Sequence, residues 1–222
     1  MSPTLSIVLL WIGFAASHLA LSHPPIRSKL VAALGEKPFQ GVYSLLAFVF
    51  FVPLCWVYFH HLHEGDWLFV LPRGEWLVWI VSIGSTLGFV LMVGGLVQPN
   101  PASMAGGAMQ ACGVLRITRH PLFMGLGIVG IFHLLANTSS TDVAFFAGLP
   151  IFAIVGCAHQ DRRKLAEGLP GYSSFVAETP FLPFTGKETL RGVSEMGPLR
   201  IGAGIAVAIG VRYVHHLSAL VG

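Results

Sequence analysis

Apolar residues in this chain fall into six blocks, at roughly 5–22, 42–60, 76–97, 121–136, 142–159 and 199–220, with no alternation of the kind a half-buried strand would need. In lipid a backbone has no water to bond, so such blocks must be helical, and block patterning excludes an outer-membrane barrel. The first three blocks are long enough to span. The fourth and fifth lie near the lower limit of about 17 residues. The last runs without interruption only from Ile201 to Val211, and Arg212 must snorkel or face a partner. The expected fold is all-α: a polytopic transmembrane helical bundle of about six spans, one domain over residues 1–222, with no internal repeat. Composition agrees, since only 10% of residues are charged, against about 25% in soluble domains. Lipid must therefore cover most of the surface, and the bilayer is the first partner.

The first block lacks a basic leader and a small-x-small cleavage site, and ends at Ser22-His23-Pro24, so it reads as the first span and not as a signal peptide. Charge sets the orientation. Eleven of the thirteen lysines and arginines follow blocks one, three and five: Arg27, Lys29 and Lys37; Arg116 and Arg119; and Arg162, Arg163, Lys164, Lys187, Arg191 and Arg200. Only Arg73 and Arg212 fall on the other side. The positive-inside rule then makes 160–198 a cytoplasmic loop and leaves both termini on the non-cytoplasmic side, as in a multi-pass protein of the bacterial inner membrane. No lysine-rich run suggests nucleic acid. Cys55, Cys112 and Cys157 have no CxxC spacing and read as small buried hydrophobes.

Small residues one turn apart, Gly84 with Gly88 and Gly202 with Ala206 and Gly210, predict close helix contacts. Pro53 and Pro150 predict kinks in the second and fifth spans.

Candidate chemistry rests on the ten histidines. His60, His61 and His63, and His215 with His216, sit at block ends and read as interfacial. His18 and His133 are flanked by apolar residues, where a neutral imidazole can bond a neighbouring helix or ligate a haem iron. The densest signal is Gly113–Gly125, "GVLRITRHPLFMG". Arg116 and Arg119 share a face if the fourth helix extends backwards, and Pro121 suits its first turn. Two arginines at a helix start make an anion site for a lipid phosphate, haem propionates or the carboxylate of a methyl donor. "DRRK" at 161–164 either anchors the chain at the membrane face or closes over the same anion.

These pieces, with Gly41–Leu45, the Gly168 turn and "TPFLPF" at 179–184, resemble the NnrU family over nearly the whole chain. That family is associated with denitrification gene clusters, and its relatives include plant and cyanobacterial carotene isomerases. In those relatives histidines hold a b-type haem whose reduced iron drives cis-to-trans isomerisation of a polyene. The resemblance implies haem b as cofactor, His18 and His133 as axial ligands, and His120, Arg116 and Arg119 as further cofactor-binding residues. It implies either isomerisation of a hydrophobic polyene or a nitrogen-oxide-linked role. On depth alone His120 or His159 pairs better with His18. The Arg-His-Pro block also resembles isoprenylcysteine carboxyl methyltransferases, in which that loop and an acidic pair bind S-adenosylmethionine. Here Arg162 follows Asp161 where the second acid would stand. A non-catalytic assembly factor, with a homodimer or another membrane protein as partner, is the third reading.

Overall fold

A computed structural model describes residues 1–72, 74–103 and 106–221, with side chains as far as His215. Arg73 and the His216 side chain, both used above, lie outside the described residues. The described chain is helical, with α1 at Pro3–Ser22, α2 at Pro24–Leu34, α3 at Glu36–His60 and α4 at Glu75–Val97. A 3-10 turn at Gly113–Arg116 precedes α5 at Pro121–Ala136, α6 at Ser140–Ala166, α7 at Tyr172–Glu178 and α8 at Thr189–Val221. Among the described residues there is no strand, only an isolated bridge between Trp67 and Ser139.

Five of these helices, α1, α3, α4, α6 and the 189–215 part of α8, are long and apolar enough to cross a membrane. Each expected block finds its helix, but the helices overrun the blocks by six residues at the start of α3, seven at the end of α6 and ten at the start of α8. Helix α5 has 16 residues. The apolar windows of α3 and α8 bury only 11% of their residues inside the protein, so their exposed side chains suit lipid.

The chain forms two compact units. The first comprises 1–72 and 134–163, and packs α1, α3 and most of α6. Helix α1 begins where the Ser2 hydroxyl accepts the Leu5 N–H at 3.3 Å and Pro3 takes the first turn. It ends where Pro24 opens α2, and Gly35, at φ 87°, turns the chain into α3. An aromatic column forms the core. The Trp11 ring lies over Gly148 of α6 and its Nε1–H donates to the Phe145 carbonyl at 3.2 Å. Phe14 meets Phe152 at 4.7 Å and Phe51 at 5.7 Å between ring centroids. Pro53 and Pro150 lie inside α3 and α6.

The second unit comprises 73–133 and 164–222. Its α4 and α5 touch backbone to backbone: a Cβ on Gly88 would lie 2.7 Å from the Gly125 carbonyl oxygen, and Gly84 faces the Phe132 ring. The expected Gly84–Gly88 contact is therefore present. On α8 the expectation needs correction. Gly202 and Gly210 have open space around them, and Gly204 meets α4, where a Cβ would stand 2.5 Å from Val90 Cα. Arg212 finds a partner in the Ser82 hydroxyl of α4. A break at Gly197, φ 70°, just before Pro198, divides α8. The stretch 160–198 thus contains the end of α6, all of α7 and the first turns of α8.

Candidate functional site

His18 belongs to the first unit, on α1. Its Nδ1 lies 2.8 Å from the Phe14 carbonyl. A carbonyl only accepts, so Nδ1 carries the proton and a neutral ring keeps its lone pair on Nε2. Phe14 at 4.1 Å, Tyr43 at 4.9 Å and Phe152 at 5.4 Å surround the ring and limit its orientations.

His133 belongs to the second unit, on α5. Its Nδ1 lies 2.8 Å from the Val129 carbonyl, the same i to i−4 arrangement. Both residues thus present Nε2 as the basic nitrogen, which is what a metal-ligating histidine with a fixed tautomer requires. Among the described residues no group of three or more His, Cys, Asp or Glu side chains is arranged to hold a metal ion. A haem iron takes four ligands from its macrocycle and asks the protein for only one or two. Each histidine, taken by itself, offers one nitrogen of the kind that such an iron accepts.

His120, Arg116 and Arg119 come together in the second unit, where they knit a loop. The helix does not extend backwards over them: Gly113–Arg116 is a 3-10 turn and α5 starts at Pro121. The pyrrolidine ring of Pro121 disfavours helical backbone at His120. Arg116 donates from Nε to Glu195 at 2.9 Å, and that carboxylate also accepts the Gly113 N–H at 2.7 Å. Arg119 donates from Nη1 to the Thr179 carbonyl at 2.7 Å and stacks over the Phe181 ring at 5.1 Å. His120 is 2% exposed, with Asn100 Nδ2 placed 3.4 Å from its Nδ1 and Phe181 edge-on at 5.7 Å. Two main-chain bonds, Arg119 N–H to Pro180 and Phe184 N–H to Ile117, and one from the Thr118 hydroxyl to the Phe181 carbonyl complete it. "TPFLPF" and "TRHP" are therefore one folded strap; Arg119 is partnered within it, and Arg116 just before it is held by Glu195 of α8.

Sequence reading missed a buried polar cluster in the first unit. Asp142, with no exposed surface, accepts the Tyr58 hydroxyl at 3.0 Å, His63 Nδ1–H at 3.0 Å and the Ser139 hydroxyl at 2.7 Å. Ser139 and Asp142 also exchange bonds to each other's backbone N–H, both at 3.3 Å. That is a capping box, and the Ser-x-x-Asp spacing ahead of an apolar run was its available signal. His63, read as interfacial, has a side chain that is half exposed, is tied to this carboxylate and holds a left-handed φ of 59°. Of its neighbours, His60 Nδ1 bonds the Trp56 carbonyl and His61 pairs with Glu64 at 3.0 Å.

Known proteins bear on this arrangement. The chain is 23% identical over 187 residues to the chloroplastic 15-cis-zeta-carotene isomerase of Arabidopsis thaliana, a match that covers 82% of this chain and 50% of that protein. The chain thus spans about half the length of that relative. No solved structure gives a significant match. The sequence profile of the family described as NnrU protein matches residues 6–221, and the chain belongs to that family.

Proposed function

We propose that this chain is a multi-pass membrane protein that binds b-type haem through His18 and His133 and isomerises a hydrophobic polyene. The carrying observation is the shared lock on the two imidazoles, each with Nδ1 committed to the carbonyl one turn earlier, so that Nε2 is the nitrogen that would ligate an iron in each. A relative named as a carotene isomerase supports the reaction class. A bound haem would supply a one-electron centre whose reduced state promotes rotation about a conjugated double bond. The chain's own part is positional. Phe14, Tyr43 and Phe152 hold the His18 ring and keep water from it, and lipid-facing helices admit an apolar substrate from the bilayer. Arg116, Arg119 and His120 brace the strap that precedes α5, a supporting role and not ligation. The methyltransferase alternative gains nothing from this strap, because its arginines and histidine are engaged with protein groups.

The topology proposed with this function is six spans in one membrane domain of a bacterial inner membrane, with 160–198 cytoplasmic and both termini on the opposite side. Contacts inside the first unit support six. Residues 66–68 bond 138–140 through Leu68 N–H to Thr138 and Ser140 N–H to Asp66. The end of α3 and the start of α6 therefore share one membrane face. If α4 crosses away from that face, α5 must cross back.

The test is an absorption spectrum of full-length protein purified in mild detergent after haem-replete expression, oxidised and then reduced with dithionite. The expected result is about one haem per chain with sharp reduced α and β bands. His18→Ala or His133→Ala should abolish that six-coordinate signature, and His120→Ala should keep it. A folded protein with no Soret band overturns the proposal.

A further inference from the structure

Helix α8 is longer than a membrane crossing needs. Its 33 residues would measure about 50 Å if straight, against a hydrocarbon core of about 30 Å. The break at Gly197, φ 70°, with Pro198 behind it, divides that length. Residues 199–221 alone come to about 35 Å, enough to span. The eight residues 189–196 are surplus to the crossing.

This segment has two unlike faces. One is bound to the protein. Glu195 accepts the Gly113 N–H and the Arg116 Nε–H, and Met196 is buried. A Cβ on Gly192 would stand 2.7 Å from the Gly113 carbonyl oxygen. Leu190, two residues before Gly192, lies about 160° round the helix from that contact and is 84% exposed, with Val193 exposed beside it. Leu199, just past the break, is 85% exposed. Single exposed leucines are ordinary, but these residues line the stretch that leads into a span.

The charges are as uneven as the faces. Glu188 and Glu195 are both engaged by Arg116 and Arg191, four charges that cancel. What is left is a cation at either end, Lys187 and Arg200. An apolar face flanked by uncancelled cations, at the mouth of a span, is the make-up of a helix that lies in a bilayer interface. We propose that residues 189–196 lie in the plane of the cytoplasmic leaflet. Leu190 and Val193 sit just below the headgroups, and Lys187 and Arg200 meet the phosphates of anionic lipids. The choice of leaflet rests on the topology proposed above, whereas the interfacial placement depends on neither sidedness nor haem. Through Glu195 this lipid-seated helix gives the Gly113–Arg116 turn a footing on the membrane surface.

The test places an environment-sensitive fluorophore on Leu190→Cys, in a full-length variant with Cys55, Cys112 and Cys157 replaced by serine. The protein is reconstituted at high dilution in vesicles of equal parts phosphatidylcholine and phosphatidylglycerol. A nitroxide at the top of the acyl chain should quench the probe more than one at mid-chain, and aqueous iodide should quench it weakly. Nitroxide carried on phosphatidylglycerol should quench severalfold more than the same group on phosphatidylcholine, because cations near the surface gather anionic lipid. Lys187→Gln with Arg200→Gln should remove that difference and keep the depth order. Strong iodide quenching without lipid quenching overturns the proposal, because the face then meets water. Stronger quenching from mid-chain also overturns it, because 189–196 would then continue the span. Lipid quenching that is lost as the protein is concentrated overturns it in favour of a second copy of the chain on this face. Equal quenching through both headgroups overturns the anionic-lipid contact. The haem reading is judged separately, by its spectrum.

Discussion

Asp142 has no exposed surface, so its neighbours and not water determine what it contributes. Three side-chain donors converge on it, from Tyr58, His63 and Ser139. Truncation would strand the buried Tyr58 and Ser139 hydroxyls and release His63, whose side chain is half exposed. Asp142→Ala should therefore destabilise the protein by about 3 kcal/mol, the scale for removing one member of a buried charged network. Asp142→Asn keeps the shape and one acceptor and should cost less. Both are read from thermal unfolding in detergent, and the haem spectrum should be unchanged at temperatures where the variants are folded. An Asp142→Ala protein as stable as wild type would mean that the network does not hold the residue 61–68 segment. At this scale the sequence was partly legible. His18 and His133 stood out because an imidazole among apolar residues needs a reason. Asp142 did not: the Ser139-x-x-Asp142 spacing could mark a helix start, but its other partners, Tyr58 and His63, lie 84 and 79 residues away, and no spacing rule reaches that far. Arg116 and Arg119 were read as facing an anion because their carboxylate and carbonyl partners, Glu195 and Thr179, are likewise remote in sequence.

Helix boundaries were legible for a simple reason: in lipid, hydrophobicity alone dictates helix, and no competing period confuses the reading. Helix faces were less so. In α8 small residues occupy 202, 203, 204, 206, 208 and 210, so spacing offered two candidate stripes about 200° apart. The 202–206–210 stripe is the more regular, yet Gly204 and Ala208 are buried. The choice depends on Val90 and Arg212, which fix the rotation of α8 against α4. Two substitutions separate the stripes. Gly204→Leu must displace the α4 backbone and should cost about 1–3 kcal/mol, the usual penalty for overpacking. Gly202→Leu meets nothing within 4 Å and should change the unfolding temperature little. The reverse order would show that α8 packs through the other stripe.

At the scale of the whole chain, six spans require α5 to cross the bilayer. Sixteen residues make about 24 Å of helix, short of a hydrocarbon core of about 30 Å. Length alone argues for a re-entrant segment. Local thinning of the bilayer and apolar flanking residues argue the other way, and so do the bonds from residues 66–68 to 138–140. Charge favours crossing as well. With α5 spanning, the basic residues after α1, after α4 and after α6 share one face; without it, the group at 162–200 moves to the opposite face from the rest, against the positive-inside tendency. The two arrangements differ in whether two exposed lysines, Lys37 and Lys187, lie on the same side. In a variant with Cys55, Cys112 and Cys157 replaced by serine, single cysteines at Lys37, Lys187 and His61 would be labelled with a membrane-impermeant maleimide in sealed vesicles of each orientation. Six spans require Lys37→Cys and Lys187→Cys to react from the same side and His61→Cys from the other. If Lys187→Cys instead reacts together with His61→Cys, α5 turns back within the membrane. His133 would then sit in a re-entrant helix, and the depth at which it can meet a haem would have to be worked out again from that side.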